Sequence, residues 1–485
     1  MTEQANNLKR KTITGILWQL VQKGSTQIIG FVVSIILARL LDPDEFGIVA
    51  MTSIFMTVAA VLAESGLGTS LVQKKEIDDL DKDTVFHFGF LISVILYLIL
   101  FFCAPLIAKI YKTVELVPII RVLAISLFFS SFTSVQSALV LREMDFKKYF
   151  YANLSASVLS AIVGISMAYK GFGVWALVAQ TLVRSFTIVF VIFIFVRWVP
   201  HFRFSWTRLK RLYSFGLNLM AANLIGTIFN ELRGFLIGVR FRSSDLAFYN
   251  RGNSLPGLIY ENVNGTISSV LFPAMAKVQD DMSSVKNSMR RAMMTSVFIL
   301  APILVLLAAT SYQVIIILFT EKWAPAIPYM QVIVFYHLFS IVGMANLQAL
   351  NAIGRSDITF KLEFIKKPIL LAILLYTSSI SPIALSVGTA IYSIIGAAIN
   401  AAPNKKLIHY SYREQIEDVL PQILIALIAG VSAWLIGRIS MNIYLQLLLQ
   451  LTVGTGIYLG LAKLFRLESF EYSLNTIRDY LHHRA

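Results

Sequence analysis

The chain is a succession of long apolar runs separated by short polar loops. Runs of about 20 residues recur from one end to the other, which is the length that a helix needs to cross a hydrocarbon core of about 30 Å. The runs do not alternate polar and apolar residues, as the strands of a membrane barrel would. Only helices and closed barrels satisfy their backbone groups in lipid, so the pattern predicts transmembrane helices.

Fourteen such spans can be placed on the sequence, numbered here as spans 1 to 14. Because the loops between them are short, neighbouring spans are expected to be antiparallel. The predicted spans are 13–40, 46–72, 85–108, 116–141, 149–169, 174–196, 211–240, 246–275, 291–318, 327–352, 358–380, 382–402, 419–437 and 441–463.

A weak repeat at an offset of 200 residues indicates two related halves. Residues 37–38 and 45–47 align with residues 237–238 and 245–247, which places spans 7 and 8 on spans 1 and 2. Six spans per half is typical of parallel repeats, for which a substrate site is expected between the halves. We therefore predict an all-α membrane protein with two six-helix lobes related by a pseudo-two-fold axis. Its divisions are the N-terminal lobe, the C-terminal lobe, and a helix pair with a cytoplasmic tail: 1–200, 201–403 and 404–485.

Composition excludes a soluble protein. Of 485 residues 57% are hydrophobic and 14% charged, whereas a soluble domain carries about 25% charged residues. The net charge of +15 would suggest nucleic acid as a partner of a soluble protein. Here, if the N-terminus is cytoplasmic, 27 Lys and Arg residues fall in inside segments and 8 in outside segments. This bias predicts that both termini are cytoplasmic, and it explains the basic charge without a nucleic-acid partner.

The sequence gives no indication of an enzyme, a cofactor or a metal site. Its longest polar stretches are about 10 to 20 residues, and it contains no Walker A, HExxH, GxSxG or CxxC motif. Gly454 and Gly456 begin a GxG inside a membrane helix, where glycine is typical of close packing. The adjacent His482 and His483 have no partner at metal-ligand spacing, and Cys103 stands alone in an apolar run. No catalytic residue is predicted.

Polar residues concentrate in spans 1, 2, 7 and 8, the repeat-related pairs at the start of each half. Hydrogen bonds between helices account for many Ser, Thr and Asn residues in membrane spans. A charge at mid-span costs at least about 2.5–3.5 kcal/mol to insert, so it usually faces a cavity or a partner. The predicted ion-coupling residues are Glu64, Glu231 and Glu261.

Three segments carry a resemblance to a known family. Residues 36–47, ILARLLDPDEFG, resemble the junction of helices 1 and 2 in polysaccharide exporters of the multidrug/oligosaccharidyl-lipid/polysaccharide (MOP) superfamily. Residues 247–251 and 272–276 resemble the start and end of the eighth helix in these exporters. Over nearly its whole length the chain resembles in particular the lipopolysaccharide-biosynthesis exporters of the colanic acid and teichuronic acid type.

The resemblance implies a flippase for a lipid-linked oligosaccharide. The implied cargo is an oligosaccharide on undecaprenyl pyrophosphate, moved from the cytoplasmic to the outer leaflet by alternating access for surface polysaccharide biosynthesis. Two six-helix lobes would form a V around a cavity. In the related lipid II flippase the last two helices form a groove for the lipid tail, and spans 13 and 14 stand where that role requires them. Because cavity residues vary with cargo in this family, none is carried over.

The chemistry of such a cargo suggests which side chains contact it. A pyrophosphate and several sugars cannot cross hydrocarbon unaided, since each unsatisfied polar group there costs several kcal/mol. Arginine binds phosphate with two parallel hydrogen bonds, which favours the arginines within the spans as head-group contacts. Lys23 and Arg251 have an alternative interpretation, as snorkelling or locally paired side chains. The predicted substrate-binding residues are Arg184, Arg233, Arg251, Lys23, Gln27 and Asn230.

Other functions remain open at this point. A drug or cation antiporter of the same superfamily would share the fold but favour a carboxylate-dominated cavity, and a lipid II flippase would carry a different sugar. A non-transporting membrane scaffold would not need charges within the membrane. The expected partners are a lipid-linked oligosaccharide and membrane lipids, with H⁺ or Na⁺ as candidate coupling ions, and the protein is expected to be a monomer.

Overall fold

The computed structural model describes residues 2–64 and 66–482, and every regular element in these ranges is a helix. Each of the fourteen predicted segments falls on helices, but spans 2, 4 and 9 are divided. Span 4 is divided between Leu116–Leu123 and Ser126–Glu143, and span 9 between Met282–Ala309 and Ser311–Phe319. Contacts divide the chain into two compact units, Met1–Ala247 and Phe248–Ala485. The predicted lobe boundary at residue 200 was derived from the sequence repeat. A division by contacts does not test it, so it stays a prediction. His483, one of the two adjacent histidines, lies outside the described residues.

The first unit holds ten helices of the described chain and the start of an eleventh. They are α1 (Thr2–Leu40), α2 (Pro43–Met51), α3 (Ser53–Glu64), α4 (Leu67–Gln73), α5 (Asp79–Tyr111), α6 (Leu116–Leu123), α7 (Ser126–Glu143), α8 (Phe146–Tyr169), α9 (Val174–Val196), α10 (Trp206–Arg240) and the beginning of α11 (Ser243–Ala276). Within this unit α10 packs against α3, α4 and α5, while α9 packs against α7 and α8.

The second unit has its core around α12 and α14. An apolar cluster from these two helices also takes in side chains of α17 and α18, so the C-terminal helix pair packs as part of the unit. The remaining helices are α12 (Met282–Ala309), α13 (Ser311–Phe319), a 3₁₀ segment (Glu321–Ala326), α14 (Ile327–Ala352), α15 (Ser356–Thr377), α16 (Pro382–Leu407), α17 (Tyr412–Ile436), α18 (Ile443–Leu464) and α19 (Glu468–His482). Helix α19 occupies the predicted cytoplasmic tail and was not predicted as a helix.

Eleven segments of the described chain are long and apolar enough to cross a membrane. This confirms a multi-pass, all-α membrane protein. The three other predicted spans correspond to α10, α11 and α15, which have 35, 34 and 22 residues. These helices are long enough to cross, but they are too polar to be identified as spans by composition. The count of fourteen therefore stays a prediction.

Predicted span 2 is not one helix but three, α2, α3 and α4. The second break is at Gly66, whose φ of +64° lies in the left-handed region. A residue with a β-carbon pays about 1–2 kcal/mol there. A Cβ at this position would also lie 2.3 Å from the carbonyl oxygen of Gly216 on α10. The break thus depends on a close approach between helices, which hydrophobic periodicity does not reveal.

The two junctions at the repeat positions have the same local structure. Helix α2 begins at residue 43 and α11 at residue 243. The backbone N–H of Asp42 donates to the Glu45 carboxylate over 2.8 Å, and that of Arg242 donates to the Asp245 carboxylate over 3.1 Å. Matching turns 200 residues apart support the repeat at this junction.

The orientation of the chain stays a prediction, and reporter fusions test it. A reporter that is active only in the periplasm is expected to give no signal when fused after Ala485. The same reporter inserted at residues 42–45 is expected to give a strong signal, because the Lys and Arg bias places that junction outside. The reverse pattern would contradict the orientation.

Candidate functional site

Polar side chains of α1 combine self-satisfied hydroxyls with an accessible cation. The hydroxyls of Ser25 and Thr26 donate to the carbonyls of Val21 and Gln22, each over 2.7 Å, so the helix itself satisfies them. The Lys23 side chain is exposed and Gln27 is half-buried. Since an ammonium group is costly in lipid, the exposure of Lys23 indicates contact with water or head groups.

Glu231 on α10 is held in place by a side chain of α3. The Ser53 hydroxyl donates to Glu231 Oε2 over 2.9 Å, and Glu231 is half-buried. One turn further along α10, the Phe235 ring packs edge-to-face against Phe55 and Tyr111, with centroids 6.3 and 5.9 Å apart. The rings fix the α3–α10 contact, so the carboxylate keeps a defined position between these helices.

The other predicted residues of the first unit differ in accessibility. Glu64, at the end of α3, and Asn230 on α10 are exposed, while Arg233 is half-buried. Arg184 is exposed on α9, whose packing partners α7 and α8 differ from those of α10. Asn230, Glu231 and Arg233 therefore lie together on α10, whereas Arg184 lies on another helix, α9.

Arg251 is buried against aromatic rings of the second unit. Only 7% of the residue is exposed. Its guanidinium carbon lies 4.5 Å from the ring centroid of Phe319 and 4.6 Å from that of Trp323. Both distances are in the range of attractive cation–π contacts. The geometry supports the alternative of local pairing for Arg251, and its predicted contact with substrate stays a prediction.

Sequence reasoning overlooked a polar pair in the second unit. His337 Nε2 on α14 lies 3.0 Å from Asn253 Oδ1 on α11, and the His337 ring is 4.8 Å from the Tyr260 ring. The next residue along α11, Glu261, is exposed. The sequence did not indicate this pair, because a single histidine in an apolar span forms no motif with a recognisable spacing. The pair connects α11, a predicted cargo-facing helix, to the core of the unit.

Buried amides anchor α17 to two neighbouring helices. Asn346 on α14, Asn404 on α16 and Gln415 on α17 are all fully buried. Gln415 Nε2 donates to Asn346 Oδ1 over 3.0 Å, and Asn404 Nδ2 donates to the same oxygen over 2.7 Å. Asn346 Nδ2 donates back to Gln415 Oε1 over 2.7 Å. This hydrogen-bond network fixes the register of α17 within the second unit.

At the same end of the second unit, ion pairs join α12, α17 and α19. Arg290 binds Asp418 and Glu468, each over 2.9 Å. The Tyr410 hydroxyl donates to Asp418 over 2.6 Å. Burial and the neighbouring Asp418 carboxylate raise the pKa of Tyr410, so it remains a hydrogen-bond donor at neutral pH. No group of three or more His, Cys, Asp or Glu side chains among the described residues is placed to hold a metal ion.

Comparison with known proteins identifies the family. Residues 36–328, more than half of the chain, match the family described as polysaccharide biosynthesis protein. The chain belongs to this family.

Three curated proteins are similar to this chain over most of its length. The lipopolysaccharide biosynthesis protein WzxC of Escherichia coli is 25% identical over 84% of this chain and 84% of its own length. The succinoglycan biosynthesis transport protein ExoT of Rhizobium meliloti is 26% identical over 66% of this chain and 65% of its own length. The teichuronic acid biosynthesis protein TuaB of Bacillus subtilis is 22% identical over 73% and 74%, respectively.

Solved structures show which fold the family member adopts. The lipid II flippase MurJ, in an inward closed conformation, matches with a TM-score of 0.76 and 16% identity over 93% of this chain and 98% of its own. An inward-facing multidrug transporter of the MATE family, in the MOP superfamily, matches with a TM-score of 0.60 and 16% identity over 79% and 94%. The resemblance to polysaccharide biosynthesis proteins is confirmed by the family match, and the chain has a fold like that of MurJ and of this MATE transporter.

Proposed function

We propose that the protein flips an oligosaccharide linked to undecaprenyl pyrophosphate from the cytoplasmic to the outer leaflet of the bacterial inner membrane. It would do so by alternating access, for surface polysaccharide biosynthesis. The observation that carries the proposal is a set of accessible charged and amide side chains within the helices of a polysaccharide biosynthesis family chain with a MurJ-like fold. Lys23 is exposed in a helix long and apolar enough to cross a membrane, and Asn230 and Glu261 are exposed in predicted spans 7 and 8.

The free-energy cost of placing these side chains in lipid favours a transporter with a hydrated path over a non-transporting scaffold. A charged group facing lipid costs at least about 2.5–3.5 kcal/mol at the centre of a helix. A scaffold could remove that cost with apolar residues of similar size. A transporter of a diphosphate and several sugars needs the polar groups, because they replace the water that the cargo loses.

Each predicted residue has a proposed role. The cations Lys23, Arg184 and Arg233 would bind the diphosphate, and the amides Gln27 and Asn230 would bind sugar hydroxyls. Arg251 would bind the diphosphate only on leaving its contacts with the rings of Phe319 and Trp323. The carboxylates Glu64, Glu231 and Glu261 would bind H⁺ or Na⁺ and reset the transporter. No cofactor, metal or catalytic step belongs to this mechanism, and we propose that the monomer carries it out.

Helices α17 and α18 are proposed to guide the polyprenyl tail. Their outer faces carry exposed apolar side chains: Leu424, Ile428, Val431, Leu445 and Leu448. Such side chains are compatible with lipid tails, so the cargo's hydrocarbon can follow them while the head group stays in the hydrated path.

Gene deletion in the native host tests the proposed function. Cells without the protein are expected to lose surface polysaccharide and to accumulate the lipid-linked oligosaccharide in the cytoplasmic leaflet. A plasmid copy should restore both. Unchanged surface polysaccharide combined with a gain in sensitivity to cationic drugs would instead support the antiporter of the same superfamily.

A further inference from the structure

A polar cavity of about 650 Å³ lies inside the first unit, at the end that the charge bias predicts to be cytoplasmic. It is formed where the end of α4 and the starts of α5 and α10 meet. This volume is within the range of ligand pockets, which are about 300–1,000 Å³. The polar and basic side chains that line it include Ser70, Gln73, Lys74, Thr207, Arg208 and Arg211.

One buried carboxylate holds two of the cations on the wall of this cavity. Asp81 is fully buried and binds both the Lys74 ammonium group and Arg208 Nη1, the latter over 3.1 Å. Arg208 Nη1 also lies 2.6 Å from Asp78 Oδ2. The side chains of Lys74 and Arg208 nevertheless remain 30% and 35% exposed. Positive charge is therefore fixed in position and still accessible from the cavity.

Hydrogen bonds preform the cavity wall. The Ser70 hydroxyl on α4 donates to the carbonyl of Leu212 on α10 over 3.1 Å. Arg142 donates to the backbone carbonyls of Leu71 and Lys75, each over 2.8 Å, and so satisfies acceptors at the C-terminal end of α4 and just after it. The N–H of Ser205, at the start of α10, donates to Thr84 Oγ1 over 3.2 Å. A wall that is already ordered loses little entropy when a ligand binds.

We propose that this cavity binds a phosphate-bearing lipid head group from the cytoplasmic leaflet. Guanidinium groups match the geometry of phosphate oxygens, and the neighbouring hydroxyl and amide groups supply further donors. Lys74, Arg208 and Arg211 exceed Asp78 and Asp81, the carboxylates that pair with Lys74 and Arg208, by one charge. Basic clusters at the cytoplasmic membrane surface attract anionic head groups by about 1 kcal/mol per Lys or Arg.

The head group can come from a resident anionic phospholipid or from a polyprenyl diphosphate. The second source rests on the proposed function, as a loading site on the cytoplasmic side. The first source does not depend on it. Both share the phosphate chemistry that the cavity recognises, and the experiment separates them.

Binding to the full-length protein in phosphatidylcholine nanodiscs tests this proposal. Phosphatidylglycerol and undecaprenyl diphosphate are added in separate series, and the dissociation constant of each is measured. Arg211→Gln is expected to weaken binding of the preferred head group roughly tenfold, as loss of one charge-assisted hydrogen bond predicts. Lys210→Gln is the matched control, because it removes the same charge from an adjacent exposed residue that does not line the cavity.

The outcomes separate the two sources from failure of the site. A preference for undecaprenyl diphosphate supports a loading site for cargo, and a preference for phosphatidylglycerol supports a resident-lipid site. Equal affinities for Arg211→Gln and Lys210→Gln would overturn the proposal, as would the absence of saturable binding to either lipid. Because the readout is binding and not transport, these results do not depend on whether the protein flips a glycan.

Discussion

Replacing Asn346 with leucine is expected to lower the melting temperature of the purified protein sharply and to reduce its level in membranes. Leucine has a similar volume, but its side chain cannot donate to the buried Gln415 Oε1, which loses its partner. Asn404 Nδ2 and Gln415 Nε2 lose the Asn346 amide oxygen but keep the backbone carbonyls of residues 346 and 410. A buried polar group left without a partner costs about 1–3 kcal/mol, and the two lost bonds to the Asn346 amide oxygen add to that cost. Thermal unfolding in detergent, followed by intrinsic fluorescence, measures the change.

Asn351→Leu is the matched control for this substitution. Asn351 lies on the same helix but is half-buried, and its side chain accepts one hydrogen bond from Thr359 over 3.1 Å. Its loss is expected to cost about 1 kcal/mol or less. If Asn346→Leu melts no lower than Asn351→Leu, the amide network does not anchor α17.

Glu231→Gln is expected to lower the rate of cargo export roughly tenfold or more at normal protein levels. Glutamine can still accept the hydrogen bond from Ser53, but it can bind neither H⁺ nor Na⁺ as a carboxylate does. Coupling between two ligands of a transporter is typically about 5–150-fold. The measurement is the initial rate of export in vesicles with an imposed gradient of H⁺ or of Na⁺.

Two substitutions separate ion binding from helix packing at this position. Ser53→Ala removes the hydrogen bond but keeps the carboxylate, so export is expected to remain within about threefold of the wild type. Glu261→Gln changes an exposed carboxylate of α11 and reports on the second unit separately. Wild-type export by Glu231→Gln, with the response to ion gradients intact, would exclude Glu231 as the coupling site.

Membrane potential is the rival driving force. A diphosphate head group carries about two negative charges, and moving them through 100 mV is worth about 4.6 kcal/mol. Since the cell interior is negative, outward movement of this anion is electrically downhill. If Glu64→Gln, Glu231→Gln and Glu261→Gln all export normally while the rate follows the potential, no carboxylate of this set is an essential ion site.

The helical pattern was predictable because it depends on local hydrophobicity. All fourteen predicted segments fall on helices, although spans 2, 4 and 9 are divided, and the offset of 200 residues places matching turns at residues 42–45 and 242–245. The breaks of span 2 were not predictable. Gly66 adopts its left-handed conformation where Gly216 of a distant helix approaches it, and the sequence alone does not show which glycines meet.

The candidate site was predictable in part. The cost of charge in lipid pointed to Glu231, and the structure gives it a partner, Ser53, that no motif marks. The same rule pointed to Arg251, whose charge is stabilised by the rings of Phe319 and Trp323 far along the chain. Cation–π contacts between distant segments leave no periodic signal. Only the tertiary structure therefore shows which cations are accessible and which are buried.

Reconstitution of the purified wild-type protein tests the central claim most directly. Liposomes carry a fluorescent oligosaccharide on undecaprenyl pyrophosphate in both leaflets, and a membrane-impermeant glycosidase removes the label from the outer one. With the protein present, the account predicts that nearly all of the label becomes accessible to the glycosidase, whereas protein-free liposomes should protect about half. Protection of the same half with correctly folded protein present, under imposed potential and ion gradients, would contradict the claim that this protein flips a lipid-linked oligosaccharide.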